Sequence, residues 1–342
     1  MTIALAARPL AARGVAARPR AAATGPSTAT RAATAFVARM RDDARALGRE
    51  LADAVQDPAG LAAAAAAGMR RLGDPVYREA QAWVVPGSRA VAGVRVPLQR
   101  AVWGAFRRRT RTVRPSTLLL AADALLRDGT TELRLFAIEL LTRTLPTDPE
   151  RSWQLLRRTA REAGEWVTVD ALARACATGI IRERYRWAEL EQLVYSPSRW
   201  ERRLVGSTIA TIPFVDREAG RRPEVATRGL ALVGELIGDA DADVQRALGW
   251  ALRNLVLVDP AAVLAFCRAE ASTAAATGDG NRARVIRSAL PKLPSGEAAE
   301  IGQALAGLRR TPAGAPTSRA ASIAAAFAVT RDPAAHPEPP LR

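Results

Sequence analysis

The stretch DVQRALGWALRNL, residues 243–255, decides the fold class. Val244, Ala247, Leu248, Ala251, Leu252 and Leu255 fall on one apolar stripe at about 100° per residue, the signature of an amphipathic helix. Similar units recur as TELRLFAIELL from Thr131, EWVTVDALARAC from Glu165, SRWERRLVGSTIAT from Ser198 and NRARVIRSALPKL from Asn281. Counting the unit at Asp243, their starts lie 34, 33, 45 and 38 residues apart. Between them stand helix breakers and good N-caps: Pro97, Pro115, TLPTDPE from Thr144, the Ser196-Pro197-Ser198 triplet, residues 239–243, Asp259-Pro260 and TGDGN from Thr277. Almost no alternating stretch reads as a strand.

Periods of this length, one helix pair each, predict an all-α fold: an α-solenoid of HEAT-like helical repeats, an α–α superhelix with a concave, basic face. The repeat body is expected over residues 74–310. Residues 1–41 hold seven Arg and no acid and are poor in large apolar side chains, so they are expected to form a disordered Arg/Ala-rich arm. Residues 42–73 can add one amphipathic helix. Residues 311–342 read as a low-complexity tail, apart from a short helix over 318–329.

Composition narrows the chemistry. The 342 residues carry 50 basic and 34 acidic side chains, a formal charge of +16, which makes a polyanion a candidate partner. Yet 49 of the basic residues are Arg and only Lys292 is Lys, which with the abundant Ala also fits a coding bias. One histidine, His336 in the Pro-rich tail, excludes a Ser-His-Asp triad or a histidine metal site in the body. Cys176 and Cys267 lie far apart and outside any CxxC, so two buried reduced thiols are expected and no thiolate metal site. A Schiff base has Lys292 as its sole candidate. No uncharged apolar run approaches the ~20 residues of a membrane span. The expected setting is the bacterial cytoplasm at the nucleoid; the Arg-rich, acid-free start also resembles an organelle transit peptide, the other reading of that segment.

A few residues do not fit a core role. Trp250 projects about 130° off its apolar stripe, on the side of Arg246 and Arg253; it either faces a ligand or packs on the neighbouring repeat. Trp166 and Asp170 are an i,i+4 pair on one flank of their helix. Asp170 alone also suits a first-turn acid that complements the helix dipole. On the helix from Ser198 the apolar face runs through Leu204, Val205, Thr208, Ile209 and Ile212, which leaves Arg203 near the opposite face, either simply solvated or open to a phosphate. These residues stand on three successive units, where stacking brings equivalent faces onto one surface. Indole faces attract cations by ~0.5–2 kcal/mol each. A carboxylate beside them stabilises positive charge on a sugar whose bond to its base is breaking, the electrostatic logic of oxocarbenium-like states.

At these residues the chain resembles the DNA alkylation repeat family, the AlkD-like bacterial DNA glycosylases built from HEAT-like repeats. The matches are WVTVD (Trp166, Asp170), WERR (Trp200, Arg203) and VQRALGWALR around Trp250. GVRVPLQR from Gly93 resembles the family's G-[IV]-x-x-P-x-R segment, and RVIRSAL its closing repeat, so the resemblance covers roughly residues 74–295. The chain departs from the family at Val167, where many relatives carry an acid.

The resemblance implies a monofunctional glycosylase for cationic N3- or N7-alkylated purines in duplex DNA, working without metal or cofactor and leaving the base stacked; with no clear sign of oligomerisation in the sequence, a monomer is expected. It implies Asp170 as the catalytic carboxylate, Trp166 and Trp250 around the lesion's deoxyribose, and Arg203 on the DNA backbone with Arg246 and Arg253 beside it. Tyr77, in DPVYREA, is a candidate lining residue. The reading from another class is a non-catalytic HEAT-repeat scaffold, or a lesion-binding protein without turnover.

Overall fold

Helix starts and stops follow from local chemistry. The carboxylates of Asp57, Asp241, Asp259 and Asp279 accept hydrogen bonds from first-turn N–H groups of the helices they precede. Proline occupies the first turn of several others, where its missing N–H costs nothing. Gly129 and Gly278 end two helices in the left-handed region, at φ 83° and 69°.

The structure, a computed structural model, describes residues 27–84, 90–309 and 318–330. Among these residues it contains sixteen α-helices and no strand. They are α1 (Thr28–Asp53), α2 (Pro58–Leu72), α3 (Pro75–Val84), α4 (Val96–Arg109), α5 (Pro115–Asp128), α6 (Thr131–Thr144), α7 (Pro149–Arg161) and α8 (Trp166–Arg182). Then follow α9 (Arg186–Gln192), α10 (Arg199–Val215), α11 (Pro223–Leu236), α12 (Ala242–Leu255), α13 (Pro260–Thr277), α14 (Gly280–Ala289), α15 (Ser295–Ala304) and α16 (Arg319–Thr330).

The helices stack in two layers. In one, α1 packs on α4, α4 on α6, and the row continues through α8, α10, α12 and α14. In the other, α2, α5 and α7 pack in series, as do α11, α13 and α15. Successive helices α5/α6, α7/α8, α11/α12 and α13/α14 alternate between the layers, so each pair is one repeat. Their apolar stripes meet in one buried core running from Ala44 to Ala320. The architecture is the expected all-α solenoid of helical repeats.

Two features of the first layer position the site. Helix α10 is enclosed by α8 on one side and α12 on the other, so its residues from Glu201 to Ala210 are all buried. Gly206 lets α10 and α12 approach: a Cβ there would lie 2.8 Å from the carbonyl carbon of Ala247 and 2.9 Å from the nitrogen of Leu248.

The N-terminal boundaries differ from expectation. Residues 28–41, assigned to a disordered arm, belong to α1, and residues 42–73 hold the end of α1 and all of α2 rather than one helix. The physical reason is a stripe that composition hides: Phe36, Val37 and Met40 pack against the core and continue into buried Ala44, Leu47 and Leu51. Ser27 starts the helix, its hydroxyl accepting from the N–H of Thr30 at 3.2 Å. The repeat body therefore does not begin at residue 74, because α1 and α2 share its core. Residues 1–26, at the start of that arm, lie outside the described residues.

At the other end, the short helix expected over 318–329 is α16, which lies against α11 with Ala320, Ala321 and Ala324 buried. The rest of the 311–342 tail, including His336, falls outside the described residues. Cys176 and Cys267 are free, buried thiols, and burial pushes both up to about 12. Among the described residues no helix is long and apolar enough to cross a membrane.

Candidate functional site

The N-terminus of α8 is fixed before its functional residues appear. The Glu165 carboxylate accepts from the N–H groups of Val167 (2.5 Å) and Thr168 (2.9 Å), and also from the Thr168 hydroxyl. Trp166 is thus the first helical residue, and Asp170 lies one turn on along the same flank.

Asp170 is held by α10. The guanidinium of Arg203 donates from Nε to Oδ1 at 3.1 Å and from Nη2 to Oδ2 at 2.8 Å, a two-pronged pair of charge-assisted bonds. Ser207, one turn further along α10, donates its hydroxyl to Oδ1 at 2.7 Å. The third arm of Arg203 reaches α12, where Nη1 donates to the backbone carbonyl of Asp243 at 2.8 Å. One arginine therefore ties three successive repeats together. The pair is unevenly exposed: the Arg203 side chain keeps 7% of its surface and that of Asp170 keeps 22%. A carboxylate has about four lone-pair positions, and the three bonds leave Oδ2 with a single donor, so the open edge of Asp170 has acceptor capacity to spare.

This placement corrects the expectation that Arg203 stands on a solvated face. Opposite the apolar stripe of α10 lies another helix rather than water, since a helix inside a solenoid layer has neighbours on both flanks. Arg203 commits three of its five N–H donors to Asp170 and Asp243.

Trp166 and Tyr77 come together at one cavity, of about 330 Å³ and walled also by Ala80, Val96 and Leu135. The GVRVPLQR segment builds its rim. The buried Glu132 carboxylate on α6 accepts from the N–H groups of Ala92 (2.9 Å), Gly93 (2.8 Å) and Val94 (3.1 Å). Gly93 makes the turn at φ 80°. Arg95 then donates from Nε to Asp74 at 2.7 Å, and its guanidinium sits 4.9 Å from the centre of the Tyr77 ring. A sequence motif with no chemistry of its own thus places an aromatic at the cavity that Trp166 lines.

The α12 residues spread out. Trp250 is half-buried against the core, two turns beyond Asp243. Arg246 is exposed and pairs with Asp243 at 2.5 Å. Arg253 is half-buried and donates to the hydroxyl of Ser288 on α14 and to its backbone carbonyl, the latter at 3.2 Å. The side chain of Asp243 links Arg246 to the cluster, its Oδ1 lying 3.9 Å from Arg203.

Ser207, Glu132 and the Asp243 carbonyl escaped the sequence reading. Ser207 had a signal, since it stands four residues after Arg203 and so on the same face of the helix. The other two had none, because a backbone carbonyl and a carboxylate 38–40 residues from its partners carry no local pattern.

A larger cavity, about 890 Å³, lies between α5 and α7 in the other layer, lined by Leu119, Leu120 and Arg158 among others, and is separate from Asp170.

A family model described as "DNA alkylation repair enzyme" matches residues 65–284. That span covers more than half of the chain and includes Tyr77, Trp166, Asp170, Arg203 and Trp250. Neither a curated protein nor a solved structure matches. With repeat architecture and family model in agreement, the chain belongs to the DNA alkylation repair enzyme family, and its role is in DNA repair.

Proposed function

We infer that the protein is a monofunctional DNA glycosylase that hydrolyses the N-glycosidic bond of cationic N7- or N3-alkylated purines in duplex DNA. The observation that carries this reading is the geometry of Asp170: a carboxylate clamped by Arg203 and Ser207, with one edge open on the helical layer that also presents Trp166.

The chemistry asks little else of the protein. An alkylated purine already carries positive charge, so the bonding pair of the glycosidic bond leaves with the base and neutralises it. Positive charge passes to the deoxyribose, where the open edge of Asp170 stabilises it. Water then adds to the sugar carbon, and its proton is released to the carboxylate or to solvent. Because Arg203 and Ser207 fix the carboxylate in advance, it need not reorganise as charge develops. Trp166 supplies an aromatic wall for the cationic sugar, and Trp250 on α12 is the second such wall. The base stays stacked in this reading.

The test is release of free base from duplex DNA carrying 7-methylguanine, with Asp170→Asn in parallel and DNA binding measured on both. Wild-type release that falls about 10²- to 10³-fold in the variant, with binding retained, is the expected result. Release at the wild-type rate by Asp170→Asn overturns the mechanism. Tight binding with no release by either protein, on N3-purine and bulkier adducts as well, favours the scaffold or lesion-binding reading.

A further inference from the structure

Arg203 is largely buried against Asp170, and other cations on this layer stand more open to a phosphate. One turn beyond Asp170 on α8 stands Arg174, which faces a cavity of about 510 Å³ shared with α4 and α6. Arg100 and Arg107 of α4 and Arg143 of α6 line the same cavity. Arg100, Arg107 and Arg174 are exposed and have no ion pair among the described residues. Among the described residues the sole acid lining it is Glu139, exposed.

The cavity is organised rather than a chance collection of surface charges. Arg143 is half-buried and pinned: Nη1 donates to the Thr110 hydroxyl at 2.7 Å and Nη2 to the Thr110 carbonyl at 2.5 Å. Burial, and then the neighbouring charge of Arg107, pull Arg143 below the usual arginine value. The floor holds Trp103, stacked on Phe136 with ring centres 6.5 Å apart. Its Nε1–H is buried without a hydrogen-bond partner among the described residues. Like charges held together beside an unused donor are relieved by an anion with several acceptor oxygens.

We propose that Arg100, Arg107, Arg143, Arg174 and the Trp103 indole N–H form a binding site for a backbone phosphate of duplex DNA. The inference rests on the DNA reading above and names the residues that hold the strand whose sugar lies at Asp170. The spacing suits it. Asp170 and Arg174 are about 6 Å apart along the helix axis, against a rise of about 3.4 Å per nucleotide of one strand, so sugar and phosphate belong to one short stretch of backbone.

The experiment measures binding of undamaged duplex DNA by fluorescence anisotropy over a range of salt concentrations. It compares the wild-type chain, Arg174→Gln, Arg107→Gln, and a control with Arg127→Gln and Arg151→Gln on the opposite layer. The expected result is a log–log salt slope shallower by about 0.9 in each pocket variant, one phosphate's worth of counterion release, and unchanged in the control. Trp103→Phe, which preserves an aromatic stack on Phe136 but lacks the donor, is expected to weaken binding about tenfold without altering the slope.

Unchanged slopes in both pocket variants, or an equal fall in the control, would overturn the proposal. Because the readout is binding alone, it separates from the glycosylase test. A slope change without any base release sinks the enzyme and leaves the phosphate site standing. Base release with unchanged slopes does the reverse.

Discussion

Arg202 and Arg203 are neighbours on α10, and each is bonded to an aspartate from another part of the chain, yet the two pairs do different work. Arg202 donates from Nε to Asp239 at 2.6 Å, and its Nη1 donates to the carbonyls of Ser196 and Pro197. Both side chains are sealed, at 6% and 2% exposure. Asp239 also receives the N–H of Asp241, just ahead of α12. This pair fastens a loop. Arg203 and Asp170 differ in one respect that matters: the carboxylate keeps 22% of its surface. A buried ion pair by itself is weak evidence of function, because folding can use it as a pin. One with an open acceptor edge, on a surface with an aromatic neighbour, has capacity left for a substrate.

The comparison can be broken from either side. Asp239→Ala should be the more damaging to the fold, because it leaves Arg202 buried without its partner; a loss of about 3–5 kcal/mol is expected in urea unfolding. A loss below about 1 kcal/mol would show that the sealed pair is not a structural pin. Asp170→Asn should raise the barrier to base release by about 2.7–4 kcal/mol while shifting the unfolding midpoint far less than Asp239→Ala. Equal destabilisation by the two changes would make Asp170 a second pin and remove the distinction.

Gly206→Ala sharpens the same contrast. The new methyl meets the backbone of α12 at residues 247 and 248, so the helices must separate. A cost of about 1–3 kcal/mol is expected. Base release should fall as well, since Arg203 spans from α8 to α12 through α10. Retained activity in a destabilised protein would show that the clamp tolerates helix displacement.

The smallest effect concerns Asp74, the pin beside Tyr77. Burial alone would raise its carboxyl, but hydrogen bonds from Arg95 and from the N–H groups of Tyr77 and Val76 bring it below the ordinary 3.8. A carboxyl lowered in the folded state contributes stability that is present above its unfolded value and lost as pH falls through the folded one. Asp74→Asn should therefore lose less stability than the wild type as pH drops below about 4. Parallel acid-unfolding curves would show that the Asp74–Arg95 bond adds nothing.

Much of this was legible in the sequence because helical periodicity is local. The stripe from Val244 to Leu255, the Asp caps and the spacing of the units fixed the two-layer solenoid. The i,i+4 rule placed Trp166 and Asp170 on one flank. The same rule misled at Arg203, since a helical wheel separates apolar from polar sides but does not say whether the polar side faces water or a helix 40 residues away. It also understated α1, where the apolar stripe is thin and Ala44, Leu47 and Leu51 find their partners on distant helices.

The sequence by itself determined the all-α repeat architecture and the residue types of the site, because hydrophobic period and capping act over a few residues. Only the tertiary structure decided which charges are spent and which are free. Arg203 is buried against Asp170 and Asp243, while Arg100, Arg107 and Arg174 remain open around one cavity. Pairing of charges depends on distance in space, and a chain folded into stacked repeats brings together side chains as far apart in sequence as Arg100 and Arg174, 74 residues.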